Sequence, residues 1–278
     1  RTEGGFVTDV DLAVIPAAGL GKRMRPATRS VPKALLPVVD RPAVQHVAEE
    51  AIRAGVKEVI FVVDAGVGSL IERHFGDDDP LPGFENVLVK VVIQEEPRGL
   101  GHAVLTAGSA IGDRRFFCLL VDNIVRPGAD ILPSLEAASN GGSVVALREV
   151  GDHMLERYGV ALPGDRRGKS LDVLGAIEKP GVEKAPSNLG LVGRYLFSPD
   201  ILGALADLPP GHGGEIQLTD AIDVVARQGN CRGFIGDEDL LDIGIPFGLL
   251  EATVILGLAR PEYHAPFKDF LLSLDELR

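Results

Sequence analysis

The amino-acid sequence predicts an α/β protein with a doubly wound, mostly parallel, Rossmann-like sheet and helices on both faces. Three observations carry that reading. Short apolar runs rich in branched residues alternate with helical spacings through the first half of the chain, a pattern that implies parallel strands and right-handed crossovers. A glycine turn at 17–21 (AAGLG) directly follows the first apolar run, 12–15 (LAVI). With 278 residues, 45 % of them hydrophobic, the chain is long enough to bury a large core.

The run 12–15 reads as a buried strand. After the turn come the cations Lys22, Arg23, Arg25, Arg29 and Lys33, set among Pro26, Pro32 and Pro37. Each proline removes a backbone donor and biases its predecessor away from helix, so a long ligand-wrapping loop is expected. Small residues let backbone N–H groups approach phosphate oxygens, and cations neutralise them. Two familiar glycine motifs are excluded. A P-loop needs Lys-Ser or Lys-Thr after its last glycine, where Lys22-Arg23 stands here. The dinucleotide fingerprint needs a glycine in place of Met24, although Asp40 lies where its acidic residue would fall.

Val44, Val47, Ala48, Ala51 and Ile52 are helically spaced, with Pro42 in the first turn and Gly55 as a stop. Further strands are expected at 58–63, 90–94 and 116–121, and helices at 70–75 and at 100–111, the latter opened by Gly99. A polar loop, 76–83, separates the second strand unit from the third. The glycine turn, Gln94 and Asp122 all fall at the carboxyl ends of strands, where ligand crevices form in such sheets. From Ser143 onward strands dominate, at 144–148, 158–162, 171–178 and 189–197. Helical patterns return at 200–206, 217–227, 246–258 and 267–277, the last amphipathic through Phe267, Phe270, Leu271 and Leu274.

Composition narrows the function. A net charge of −12 argues against nucleic-acid binding. There is no apolar run near the ~18 residues of a membrane span, and no signal-like apolar stretch at the amino terminus. Cys118 and Cys231 suit a reducing, cytoplasmic setting as buried small hydrophobes.

The stretch 12–37 resembles the signature of the sugar-nucleotide pyrophosphorylases, nucleotidyltransferases that join a nucleoside triphosphate to a sugar 1-phosphate. Further matching segments recur in order: GLGHAVL at 99–105, LLVDN at 119–123, EKP at 178–180, APSNLGLVGRY at 185–195, GEIQLTDAID at 214–223 and DIG at 242–244. Within the family, the match is closest to bacterial enzymes that use UTP and glucose 1-phosphate. The resemblance implies a nucleotide-binding half at 10–142, a sugar-phosphate-binding half at 143–260 packed on the same sheet, and a C-terminal helix at 261–278.

It also implies roles. Ala18, Gly19, Gly21, Gln94 and Gly99 are expected to bind nucleotide, and Gly159, Glu178 and Asn188 the sugar. Arg23, Lys33 and Lys179 are expected to act on the phosphates, with Lys22, Arg25 and Arg29 as supporting charge. Asp122 and Asp242 are expected to hold Mg²⁺, two hard oxygen ligands suiting that ion. The bland alternatives are a strand-end cap for Asp122 and, for Asp242, a merely acidic neighbourhood with Asp237, Glu238 and Asp239. Helix capping explains Glu215 and Gln217 almost as well as ligand contact, and His102 reads as structural.

The implied reaction is in-line attack of a sugar phosphate on the α-phosphorus of UTP. Alternatives are another nucleotide (dTTP, GTP, ATP), another sugar or cyclitol 1-phosphate, or a non-catalytic regulatory protein that binds sugar nucleotides. Two departures from the family are visible. The family's PKEMLP reads PKALLP here, putting Ala34 where a carboxylate near the base is expected. The region between Phe75 and Gln94 lacks the family's usual helical insertion, and it bears on the expected homo-oligomer.

Overall fold

The computed structural model describes residues 9–76, 80–236 and 240–274. Strand β1 (Leu12–Pro16) is buried at every position. The segment behind it is less open than a loop. It winds through three 3₁₀ turns, Lys22–Met24, Ala27–Arg29 and Lys33–Leu35, short enough to fit between the prolines. A ribbon of β2 (Pro37–Val38) and β3 (Arg41–Pro42) then feeds α1 (Ala43–Arg53). Gly55, at a φ of 101°, lies just past its end, where a side chain would be strained.

Strand β4 (Glu58–Val63) precedes α2 (Ala65–Phe75), which begins five residues earlier than the apolar spacing suggests. Asp64 sets that start: its carboxylate accepts the Gly66 N–H at 3.0 Å. Strand β5 (Leu88–Ile93) leads to α3 (Leu100–Thr106) and α4 (Gly108–Ile111), one expected helix broken at Ala107. Strand β6 (Phe116–Leu119) is followed at once by a three-residue strand, β7 (Asn123–Val125), and by α5 (Leu132–Ala138). Next come β8 (Ser143–Glu149), β9 (Gly159–Arg167), β10 (Ser170–Glu178), α6 (Gly181–Lys184) and β11 (Leu189–Phe197). The chain continues with α7 (Asp200–Asp207), α8 (Leu218–Arg227), β12 (Cys231–Ile235) and β13 (Leu240–Asp242). Two helices close it, α9 (Pro246–Ala259) and α10 (Pro261–Ser273).

Among the described residues one nine-stranded sheet runs in the order β5-β4-β1-β6-β11-β8-β12-β10-β9. Strands β5, β4, β1 and β6 are mutually parallel, as is the pair β8–β12. Strand β11 runs antiparallel to both β6 and β8, and β10 to both β12 and β9. The expected mostly parallel sheet is therefore corrected to a mixed one. The β9–β10 pair is linked by a turn at Gly168, too short for a crossover, and must be antiparallel.

Alternation along the parallel strands divides the core into two layers. Ala13, Ile15, Phe61 and Val63 pack in the layer that holds residues of α1, α2, α5 and α9. Leu12, Val14, Ile60 and Val62 pack in the layer with α3, α7 and α8. Burial on both faces is why these strands read as unbroken apolar runs.

Helix α10 starts six residues before the expected 267, and the end of the predicted 267–277 helix lies outside the described residues. Its stripe is half-buried at Phe267, Leu271 and Leu274, while Phe270 is exposed. A Cβ on Gly257 of α9 would stand 3.1 Å from Phe267 Cε1, so the two helices are in close contact there. Among the described residues no helix is long and apolar enough to cross a membrane.

Candidate active site

Strands β5, β4, β1 and β6 run parallel in that order, and residues that follow β1, β5 and β6 line one cleft of about 580 Å³. Ala18, Gly19, Gly21, Arg23, Lys33, Ala34, Gln94, Gly99 and Asp122 all face it. Gly21 has a φ of 57°, and a Cβ there would stand 2.9 Å from Thr28 Cγ2 and 3.0 Å from Lys33 Cβ. Thr28 fastens the turn by donating its hydroxyl to the Gly21 carbonyl at 2.8 Å. A Cβ on Gly19 would meet nothing within 4 Å, which leaves that backbone open to a ligand.

Gln94 is buried at 4 % exposure. Its Nε2 donates to the Gly99 carbonyl at 3.2 Å and to His102 Nδ1 at 2.8 Å. Burial first, and the nearby Arg98 second, hold the His102 pKa below its ordinary value, which favours the neutral ring with Nδ1 as acceptor. Both amide hydrogens are thus committed, and among the described residues Oε1 has no protein partner. His102, expected to be structural, is the hydrogen-bond partner of the glutamine amide nitrogen. Gly99 has a φ of 106°, and a Cβ there would stand 2.7 Å from Glu215 Cβ and 2.8 Å from the Ile216 carbonyl.

A second cavity of about 480 Å³ adjoins the first, and Arg23, Leu100, Leu120, Asp122 and Glu215 line both. Gly159, Glu178, Lys179 and Asp242 line it with Arg157, Tyr158 and Thr219. Glu178 accepts from Thr219 Oγ1 at 2.6 Å through one oxygen, and its other oxygen is 2.6 Å from Lys179 Nζ. A Cβ on Gly159 would stand 2.6 Å from Thr219 Oγ1, so glycine there gives that hydroxyl its room. Lys179 sits at a φ of 45°, a strained backbone for a lysine. Asn188 is not brought to the cavity. It is exposed, and its carbonyl accepts the Val150 N–H at 2.9 Å.

The carboxylates stand at the junction. Asp122 follows β6 in a tight turn and takes the Lys33 ammonium at 2.8 Å, with Arg23 at 3.9 Å. Burial alone would raise the Asp122 pKa, but Lys33 and Arg23 outweigh it and the net shift is downward. Asp242 accepts the Gly244 N–H at 2.8 Å and pairs with Arg157 at 3.0 Å. A Cβ on Gly244 would stand 2.9 Å from Asp242 Oδ1 and 3.4 Å from Asp122 Oδ2, so both carboxylates flank one small space. Among the described residues no group of three or more His, Cys, Asp or Glu is assembled for a metal. Two carboxylates fit a hard divalent ion that takes its remaining ligands from phosphate oxygens and water. Asp237, Glu238 and Asp239 lie outside the described residues.

Gln217 makes no capping bond at the start of α8; it donates to the His212 carbonyl at 2.9 Å. Lys22, Arg25 and Arg29 are exposed, and of the three Lys22 lines the cleft. Arg157 lies outside every matched segment, and Thr219 lies inside GEIQLTDAID without a role assigned to it. Arg157 precedes the β9 strand without periodic or spacing cue, and Thr219 sits inside a helical pattern that masks it.

A glycine turn at a strand end, cations around it and two carboxylates between adjoining cavities make this an α/β protein built to handle phosphate groups. The chain belongs to the nucleotidyl transferase family, whose profile matches residues 12–257. It is 37 % identical over 281 residues to UTP–glucose-1-phosphate uridylyltransferase 2 of Staphylococcus saprophyticus, covering 94 % of this chain and 97 % of that one. It is 36 % identical over 287 residues to the UTP–glucose-1-phosphate uridylyltransferase of Bacillus subtilis, covering 95 % and 98 %. Among solved structures, a UDP-glucose pyrophosphorylase complexed with UDP-glucose superposes with a TM-score of 0.83 at 30 % identity, covering 90 % of this chain and all of that one. A UTP-bound enzyme of the same name from Acinetobacter baumannii gives a TM-score of 0.82 at 32 % identity, covering 96 % and 100 %.

Proposed function

We propose that this chain transfers the uridylyl group of UTP to glucose 1-phosphate, giving UDP-glucose and pyrophosphate. The carrying observation is the pair of adjoining cavities that share Asp122, in a chain similar along most of its length to enzymes of that name. The strands β5-β4-β1-β6 act as a doubly wound unit whose carboxyl ends hold the nucleotide. In this reading 10–142 serves the nucleotide and 143–260 the sugar phosphate, with α10 following them. A cytoplasmic setting is part of the same reading and suits the free, buried Cys118 and Cys231; a homo-oligomer is carried into it from the resemblance alone.

The Gly19 to Gly21 backbone and Arg23 bind the triphosphate. Gln94, its amide hydrogens spent on Gly99 and His102, offers Oε1 to the N3–H of uracil. Cytosine and adenine carry no hydrogen at the matching nitrogen, and guanine needs more room. Glu178, anchored by Thr219, accepts sugar hydroxyls, and Lys179 neutralises the sugar phosphate. That phosphate, with a second pKa of about 6, is already largely ionised near neutral pH, so no general base is needed. Two anions must approach each other, and the chain's task is to neutralise and align them. Lys33 leaves Asp122 to stabilise the transferred group. Asp122 and Asp242 would hold Mg²⁺, which supplies charge neutralisation on the phosphates when bound.

Ala34 favours a second donor. It lines the nucleotide cleft where the resemblance expects a carboxylate, so dTTP should be accepted beside UTP.

The test is pyrophosphate release with UTP, dTTP, CTP, ATP and GTP against a set of sugar 1-phosphates. UTP with glucose 1-phosphate should give the highest kcat/KM. Asp122→Asn should fold and lose roughly 10²-fold or more in turnover. A purine triphosphate outperforming UTP overturns the base assignment, and a chain that turns over nothing overturns the activity.

A further inference from the structure

Arg194 has the largest fully buried side chain among the described residues, and it stands immediately behind the carboxylate junction. Its Nε and Nη2 hold the Glu50 carboxylate of α1 at 2.8–3.1 Å. The remaining donors reach backbone carbonyls: Leu120 at 3.1 Å, Gly193 at 2.9 Å and Asn123 at 2.5 Å. Leu120 and Asn123 bracket Val121 and Asp122, so one planar fork pins both ends of the turn that carries Asp122.

The same turn carries the other carboxylate. Asn123 is paired across the β7–β13 ribbon with Asp242, and the Asp122 carbonyl accepts the Ile243 N–H at 2.8 Å. Strand β11 is shaped for this contact. Its register with β8 is irregular between Leu191 and Tyr195, and Gly193 adopts a φ of 77°. A Cβ on Gly193 would stand 2.9 Å from Asn123 Nδ2, so glycine lets the turn close against the strand.

Stability alone is a poor account of this pair. A buried ion pair gains little over well-packed apolar residues of the same volume, because desolvation offsets the attraction. A guanidinium instead offers a rigid fork that an ammonium cannot imitate.

We propose that Arg194, neutralised by Glu50, is a positioning residue that fixes the separation of Asp122 and Asp242 and thereby their affinity for a divalent cation. The proposal rests on the reading of those two aspartates as the metal pair.

The experiment measures Mn²⁺ binding by electron paramagnetic resonance in the presence of UTP and absence of sugar phosphate. It compares the intact chain, Asp122→Asn, Arg194→Lys, and the charge-free double variant Arg194→Met/Glu50→Leu, with urea denaturation reporting folding. Loss of a partner that orients metal ligands weakens metal binding by about 10- to 100-fold. Both Arg194 variants should bind Mn²⁺ about 10-fold or more weakly, while remaining folded. If Arg194→Lys does not fold, the double variant, which strands no buried charge, carries the test. Unchanged Mn²⁺ affinity in a folded Arg194 variant, alongside loss in Asp122→Asn, overturns the positioning role and leaves the metal pair standing. Asp122→Asn that binds Mn²⁺ like the intact chain overturns the metal pair itself, and the proposal with it.

Discussion

The Gln94 amide nitrogen stands 2.8 Å from His102 Nδ1, so a histidine on α3 decides which face the glutamine offers to the nucleotide cleft. Neutral, the imidazole accepts at Nδ1 and turns Oε1 outward. Protonated, it would set a donor against a donor.

A pH dependence follows. The His102 pKa is held below its ordinary 6.5 by burial and then by Arg98, with Glu96 opposing. A depressed histidine pKa means that the fold prefers the neutral form. The arrangement is complete above 6.5 and is lost as pH falls through the lowered value. The KM for UTP should rise on that acid side. His102→Asn keeps an acceptor near Nδ1 and should lack this histidine-dependent component. An acid limb of equal size in both proteins would show that His102 has no part in it.

The two phosphate-facing cations should separate by substrate. Lys179 lines only the second cavity and Arg23 lines both, nearest the glycine turn. Lys179→Ala should raise the KM for glucose 1-phosphate more than that for UTP, and Arg23→Ala the reverse. Steady-state kinetics with each substrate varied decides it; identical effects of both changes on both substrates would refute the partition.

Ala34 is 1 % exposed and lines the first cavity. One missing polar contact relaxes discrimination by about 1–3 kcal/mol, roughly 10- to 100-fold or slightly more. Ala34→Glu should therefore lower the dTTP-to-UTP ratio of kcat/KM by about 10-fold. An unchanged ratio would mean that position 34 does not read the base.

Two glycines make a contrasting pair. Gly99→Ala places a methyl 2.7 Å from Glu215 Cβ on a backbone at a φ of 106°. The backbone strain alone is of order 1–3 kcal/mol, so its urea midpoint should fall clearly. Gly19→Ala meets no protein atom within 4 Å and should hold its midpoint, yet raise the KM for UTP. Equal loss of stability in both would contradict the difference in contacts at Gly99 and Gly19.

Much of this was legible in the residues, and for a physical reason. Strands buried on both faces, such as β1 and β4, write themselves as apolar runs. The glycine turn, Gln94 and Asp122 were marked as neighbours by their place at strand ends, and the cleft brings them together. Strand direction was not legible, because an apolar run looks the same either way along the sheet. The mixed order around β11 therefore emerged only in three dimensions. Short pairing segments such as β7 and β13 have too few residues to show a period, yet they set Asn123 opposite Asp242. His102 and Thr219 lie inside matched segments, yet their spacing does not show that their partners are Gln94 and Glu178, and Arg157 lies outside every matched segment. Asn188 shows the converse, a motif residue that is exposed and not among those lining the cavity.

The common wall formed by Arg23, Leu100, Leu120, Asp122 and Glu215 has an evolutionary consequence. Residues such as Gln94 and Ala34 face only one chamber, and Thr219 and Glu178 only the other. A lineage could exchange the donor it recognises without disturbing the acceptor, or the acceptor without the donor. Drift is tolerated on either side so long as the shared partition stays intact, which gives one scaffold a two-dimensional menu of products.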